Sequence, residues 1–170
     1  MWMLLESSGT VEVSSSAVKA NGRIPHRFAA YGEDISPELS WSKGPEGTKS
    51  YVLLMEDPDA KTPKPFVHWI LFNVAPATTA LREGIPGAPA LPDPKGARQG
   101  VNSRGSFGYF GPRPPADGDH HYHFQVFALD AELDLKPDAG RREVLDAMRG
   151  DVLAKGELIG IFSKPPGDGA

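Results

Sequence analysis

The chain reads as a mainly β protein, and three observations predict this. Glycine (19) and proline (17) are both frequent among its 170 residues. They are spread along the chain and cut it into short pieces, which favours strands over long helices. Two apolar runs, Tyr51–Met55 (YVLLM) and Phe66–Val74 (FVHWILFNV), are continuous rather than helically spaced, as strands buried on both faces are. From His120 onward the sequence HHYHFQVFAL suits a third core strand. With 39% hydrophobic and 24% charged residues the composition is that of a soluble globular protein. The length fits one domain, expected to span residues 1–170 with its core between about 20 and 163.

Taken in order, Leu4 to Ser14 carries the alternation of an opening strand with Val11 and Val13 on one face. Residues 15–40 are rich in turn residues. Asn21-Gly22 marks a turn, and Pro25 holds Ile24 extended. His26 reads as an ordinary surface loop residue. The segment ISPELSW (Ile35 to Trp41) leads into a short strand, and Gly44 to Thr48 is a loop. The run Tyr51–Met55 ends in Glu56-Asp57-Pro58-Asp59, where Pro58 biases Asp57 towards extended geometry. Both aspartates then stand where a central strand leaves the core. Capping a turn is the simpler role for them.

In Phe66–Val74, period two puts His68 on the face of Phe66, Ile70 and Phe72. If the two buried runs are neighbours, Asp57 or Asp59 is the expected partner of His68. Residues 75–106 are mostly loop, punctuated throughout by Pro and Gly, and long enough to suggest function. Arg98, Gln99, Asn102 and Arg104 give its end a polar, cationic character, although solvated loop charge is the commoner explanation.

The stretch FGYFGPRPPADGDHHYHF (Phe107 to Phe124) holds three of the five histidines beside a Gly-Pro turn. Strand alternation divides them. His120, Tyr122, Phe124, Val126 and Ala128 share one face; His121, His123, Gln125, Phe127 and Leu129 share the other. After a loop at Asp134–Asp138, Arg142 to Lys155 places Val144, Leu145, Met148, Val152 and Leu153 at helical spacing, with Gly150 as a weak point. Glu157 to Ser163 is a last strand. The tail KPPGDGA is expected to be disordered.

The composition also bounds function. A net charge of -4 argues against a nucleic-acid partner. The absence of cysteine removes disulfides, thiolate metal sites and Cys nucleophiles, and fits a reducing compartment. The first residues lack the basic and apolar regions of a secretory signal. No apolar run nears the roughly 18 residues of a membrane span. A cytoplasmic location is therefore expected. Phosphate-loop, dinucleotide-binding, serine-hydrolase and zinc-protease motifs are missing.

What remains is Asp57, Asp59, His68, His120 and Tyr122 near a Gly-Pro turn. Four readings of that set stay open. One is an anion pocket, with histidines held by carboxylates and backbone N–H donors. Another is a metal site of His68, His120 and one aspartate. The third is an Asp–His acid–base site of a hydrolase or lyase, and the fourth a purely structural polar cluster.

Three ordered motifs resemble the phosphatidylethanolamine-binding protein family, in particular its bacterial Raf kinase inhibitor-like branch. They are ISPELSW, MEDPDAKTPKPFVHWILFNV (Met55 to Val74) and GYFGPRPPADGDHHYHFQVFALD (Gly108 to Asp130). The resemblance implies a β-sandwich of two antiparallel sheets in a Greek-key arrangement, with a few peripheral helices. It implies a small pocket for phosphate or a phosphorylated head group, lined by Asp57, Asp59, His68, Gly111, Pro114, His120 and Tyr122, with Asp57 and Asp59 orienting the histidines. Phe66 stands where animal members carry a pocket-wall Trp.

The chain also departs from the pattern. His121 replaces the family's Arg, Arg113 stands where bacterial relatives usually have Cys, and Asp151 replaces a His in the late helix. With little chain after the last strand, a more open pocket is expected. The resulting expectation is a binding protein, without cofactor, for a small anionic ligand. A kinase or protease partner and a homodimer are further possibilities that the resemblance raises.

Overall fold

The computed structural model describes Ser7 and residues 9–167. Among these residues, nine strands form two sheets. The larger sheet holds β1 (Gly9–Thr10), β4 (Ser50–Asp57), β5 (Phe66–Val74), β7 (Arg98–Gln99), β8 (His120–Leu129) and β9 (Val152–Phe162), in the order β1-β9-β8-β4-β5-β7. The smaller one holds β2 (Val13–Ser14), β3 (Leu39–Trp41) and β6 (Ala80–Leu81), in the order β2-β3-β6. Strands β4, β5 and β7 lie side by side in chain order, with β6 crossing to the smaller sheet between β5 and β7, and β8 returns to lie beside β4. The spatial order β8-β4-β5-β7 is thus a Greek key. Pairing is antiparallel except between β1 and β9, which run parallel.

Each face of the larger sheet buries its own apolar cluster. On one face Tyr51, Leu53, Met55, Trp69, Leu71, Tyr122, Phe124 and Val126 pack against Leu39, Trp41 and Leu81 of the smaller sheet, which makes the sandwich. On the other, Val52, Leu54, Ile70, Phe72, Phe127 and Leu129 pack against Val144, Leu145 and Met148 of the helix α1 (Arg141–Met148). The alternation expected along β8 is the one found. Strands β4 and β8 carry apolar side chains on both faces because both faces are covered.

Several expectations are revised. The opening strand is two short pieces in different sheets, β1 and β2, and its residues 4–6 and 8 lie outside the described set. The helix stops at Met148 instead of reaching Lys155. Gly150, at φ 84°, takes the left-handed conformation that commonly follows a helix end. Val152 and Leu153 extend the apolar periodicity of α1 by coincidence. They open β9, so the last strand begins five residues earlier than expected. Within residues 75–106, β6 and β7 are short strands. The described part of the tail, residues 164–167, lies outside helix and strand, and 168–170 are outside the described set.

One irregularity shapes the site. Met55 faces Trp69, yet the next residue of β4, Glu56, faces Val67, and Asp57 faces Phe66. His68 is therefore an extra residue, a β-bulge in β5. A bulge reverses the parity of whatever follows it. So His68 does not share the face of Ile70 and Phe72, as period two required. Its ring lies instead on the Tyr122 side, with the centroids 5.2 Å apart. The residues after Gln99 pin the bulge. Ser103 Oγ accepts the Val67 N–H at 2.7 Å, and the Ser103 N–H donates to Val67 O at 2.9 Å.

Candidate functional site

At the end of the larger sheet where β4 finishes and β5 and β8 begin lies a cavity of about 290 Å³. Asp57, Phe66, His68, His120 and Tyr122 line it from the strands. Phe110, Arg113, Pro114 and Pro115 line it from the Gly-Pro segment, and Ala60 and Lys61 from the loop after β4. Of the seven residues singled out, Asp57, His68, Pro114, His120 and Tyr122 line this cavity; Asp59 and Gly111 do not.

The two histidines have opposite surroundings. His68 is buried among rings, stacked on Phe110 at 5.5 Å with 4° between the planes and tilted against Phe66 at 4.9 Å. Its Nδ1 lies 2.6 Å from Phe110 O. A carbonyl only accepts, so Nδ1 carries the proton. The Phe110 N–H returns the contact by donating to His68 O at 2.9 Å. Burial pushes the His68 pKa down to about 4, against the pull of the backbone at Phe110 and Gly111, so the ring is neutral near pH 7.

His120 is equally buried, but between two carboxylates. Nδ1 meets Asp57 Oδ2 at 2.7 Å, and Nε2 meets Asp117 Oδ1 at 2.8 Å. Burial opposes the imidazolium, yet hydrogen bonds and charge from Asp57 and Asp117 outweigh it and raise the His120 pKa above 6.5. Asp57 also takes the Asp59 N–H on Oδ1 at 2.8 Å, so it caps its turn and orients a histidine at once. Burial moves the Asp57 carboxyl up, more than His120 draws it down.

The expected partnership of His68 with an aspartate is not formed, although β4 and β5 are neighbours. The aspartate side chains reach across to β8 instead. Asp59 turns outward, where it accepts from the His121 backbone N–H at 2.8 Å and meets its Nδ1 at 2.7 Å. Among the described residues, no three His, Asp, Glu or Cys side chains converge as metal ligands would. The triad of His68, His120 and an aspartate is not assembled.

Tyr122 is fully buried, and its hydroxyl has no hydrogen-bond partner. Burial raises its pKa, so it keeps its proton and remains a donor. An unpaired buried hydroxyl costs free energy. One on the wall of a cavity is set to meet a ligand atom.

The Gly-Pro segment is stitched to residues 28–34. Tyr109 Oη donates to Phe28 O at 2.7 Å, Tyr31 Oη to Pro114 O at 2.7 Å, and the Ala30 N–H to Pro112 O at 2.9 Å. Gly111 belongs to this seam. Its N–H donates to Asp34 Oδ1 at 2.7 Å, and a Cβ there would fall 2.3 Å from Phe28 O. Its function is close packing behind the rim, rather than contact with the cavity.

Sequence reasoning missed Asp117, Phe110, Lys61 and Asp34. Of these, only Asp117, three residues before His120, carried a spacing signal. The polar end of the long loop also differs from expectation. Buried Gln99 accepts from Trp69 Nε1 at 2.7 Å, and Asn102 holds its own turn through Ser106 and Gly108. Arg104 lies over Phe110 at 4.8 Å, behind the cavity wall.

The family model described as phosphatidylethanolamine-binding protein matches residues 14–163. The chain belongs to the phosphatidylethanolamine-binding protein family. Among its relatives, a UPF0098 protein of Methanothermobacter thermautotrophicus is 45% identical over 154 residues, covering 91% of this chain and 99% of its own. A UPF0098 protein of Aquifex aeolicus is 41% identical over 164 residues, covering 95% and 94%. The crystal structure of Escherichia coli YbcL matches with a TM-score of 0.86 at 29% identity, over 92% of this chain and all of that one. That of the family homologue CT736 from Chlamydia trachomatis matches with a TM-score of 0.82 at 34% identity, over 93% and 100%. Within this family fold, no helix among the described residues is long and apolar enough to cross a membrane.

Proposed function

We propose that this family member is a binding protein whose pocket takes a small phosphoryl-type anion. The observation that carries the reading is the pairing of two donors on one cavity wall. Tyr122 brings a buried hydroxyl with no partner, and His120, two residues away on the same strand face, brings an imidazolium. In a buried setting a charged donor and a neutral one together favour an anion more than either does in water. Arg113 and Lys61 add positive charge at the lining. His68 supplies a neutral wall with Phe66 and Phe110, and its Nδ1–H is already engaged by Phe110 O. Burial keeps His68 neutral, so the histidine that brings positive charge to the pocket is His120.

Titration calorimetry with inorganic phosphate tests this. Saturable binding is expected, weakened about 30-fold or more in His120→Gln, since a charge-assisted hydrogen bond is lost. Absence of saturable binding, or equal affinity in the variant, contradicts the reading.

A further inference from the structure

The Nε2 edge of His120 is held by the chain itself. Asp117 Oδ1 lies 2.8 Å from it, and this carboxylate comes from the loop that joins the Gly-Pro segment to β8. The rest of the segment is stitched to residues 28–34, but the tip bearing Asp117 is tied down less. The Asp117 N–H donates to Pro115 O at 2.8 Å within the same turn. Gly118 follows at φ 108° with no atom within 4 Å of where a Cβ would stand. The Asp117 side chain is 23% exposed against 4% for His120, and Lys61 Nζ stands 3.9 Å from its other oxygen. A carboxylate with room to swing outward, and a cation beside it, thus occupies the position that an oxygen of a bound anion would take on His120.

Resting on the anion-pocket reading above, we propose that Asp117 is a tethered competitor that sets which anions the pocket accepts. A free carboxylate offers His120 only what Asp117 already provides. It must also compete with a group whose tether gives it an effective concentration of about millimolar or higher. A phosphoryl group brings more charge and further oxygens, so it can reach His120 and the Tyr122 hydroxyl together. Asp117 then moves towards Lys61. The pocket discriminates for phosphoryl groups and against carboxylates by this competition.

The test is titration of the full chain with inorganic phosphate and, separately, with acetate. It compares the wild type with Asp117→Ala, the shape-preserving Asp117→Asn, and Asp119→Ala. Asp119 is the control because it lies on the same loop with the same charge but pairs with Arg23 at 2.6 Å. Asp117→Ala is expected to bind phosphate about tenfold tighter or more, the scale of one charge-assisted hydrogen bond. It should also gain saturable acetate binding that the wild type lacks, with Asp117→Asn changing in the same direction. Asp119→Ala should stay within about twofold of the wild type, as a screened surface charge would. Unchanged or weaker phosphate binding in both Asp117 variants, or an equal gain in Asp119→Ala, overturns the competition while leaving the anion pocket standing. Failure of every variant and the wild type to bind phosphate overturns the pocket reading, and the competition with it.

Discussion

The β5 wall and the β8 wall of the pocket each carry one buried histidine, and they use it in opposite ways. On β5, His68 lies among aromatic rings with a backbone carbonyl at its Nδ1, and burial keeps it neutral. On β8, His120 lies between two carboxylates and is held charged. Exposure does not separate them, since both residues are 3% exposed. The difference is whether burial comes with a formal opposite charge. Desolvation acts on both rings, and only Asp57 and Asp117 reverse its outcome.

The largest effect is expected from removing the charge on the β8 wall. Asp57→Ala leaves the His120 Nδ1–H and the Asp59 N–H without their acceptor, and should cost about 3–5 kcal/mol in urea denaturation at pH 6. The raised His120 pKa contributes stability that is fully present below about pH 6.5 and lost as pH rises through the folded value. In Asp57→Ala that decline should shrink. A variant as stable as the wild type would erase the distinction between the walls.

The β5 wall should respond to pH in the opposite sense. With His68 near 4 in the folded protein and about 6.5 unfolded, the unfolded chain takes up the proton first. Stability should therefore fall as pH drops from about 6.5 to 4, by roughly 3 kcal/mol from this group. Denaturation at several pH values, compared with His68→Gln, reads it out. The wild type should lose its advantage over the variant across that window.

The smallest stability change is expected at Tyr122, on the β8 wall beside His120. Tyr122→Phe removes a hydroxyl that has no partner, so stability should not fall and should rise by up to about 1 kcal/mol. Phosphate affinity should fall about tenfold in the same variant. A large loss of stability would mean that the hydroxyl has a structural partner after all.

The walls were also unequally legible in the sequence. Along β8 strict alternation holds, and the grouping of His120 with Tyr122 and Phe124 needed nothing more. Along β5 alternation failed twice: a register shift near Asn73, at φ 58°, brings Val74 to the face of Trp69 and Leu71, and a bulge inserts His68. The bulge is fixed by Ser103, 36 residues away in sequence, where no local pattern reaches. The same blindness to long-range partners assigned Asp57 to His68 and Asp59 to the cavity. In the fold Asp57 serves His120, and Asp59 serves His121 on the far side. The helix was read too long because apolar spacing continued past Gly150, whose left-handed conformation decides the end. Family motifs located the Gly-Pro segment, but not that its Gly111 packs behind the rim or that Asp117 turns inward.

Near neutral pH the one pocket holds a neutral and a charged histidine together. Nuclear magnetic resonance titration of the ring protons, with His68→Gln and His120→Gln for assignment, tests it most directly. One ring is expected to titrate near pH 4, lost in His68→Gln, and another above 6.5, lost in His120→Gln. Both rings titrating together near 6.5 would contradict it.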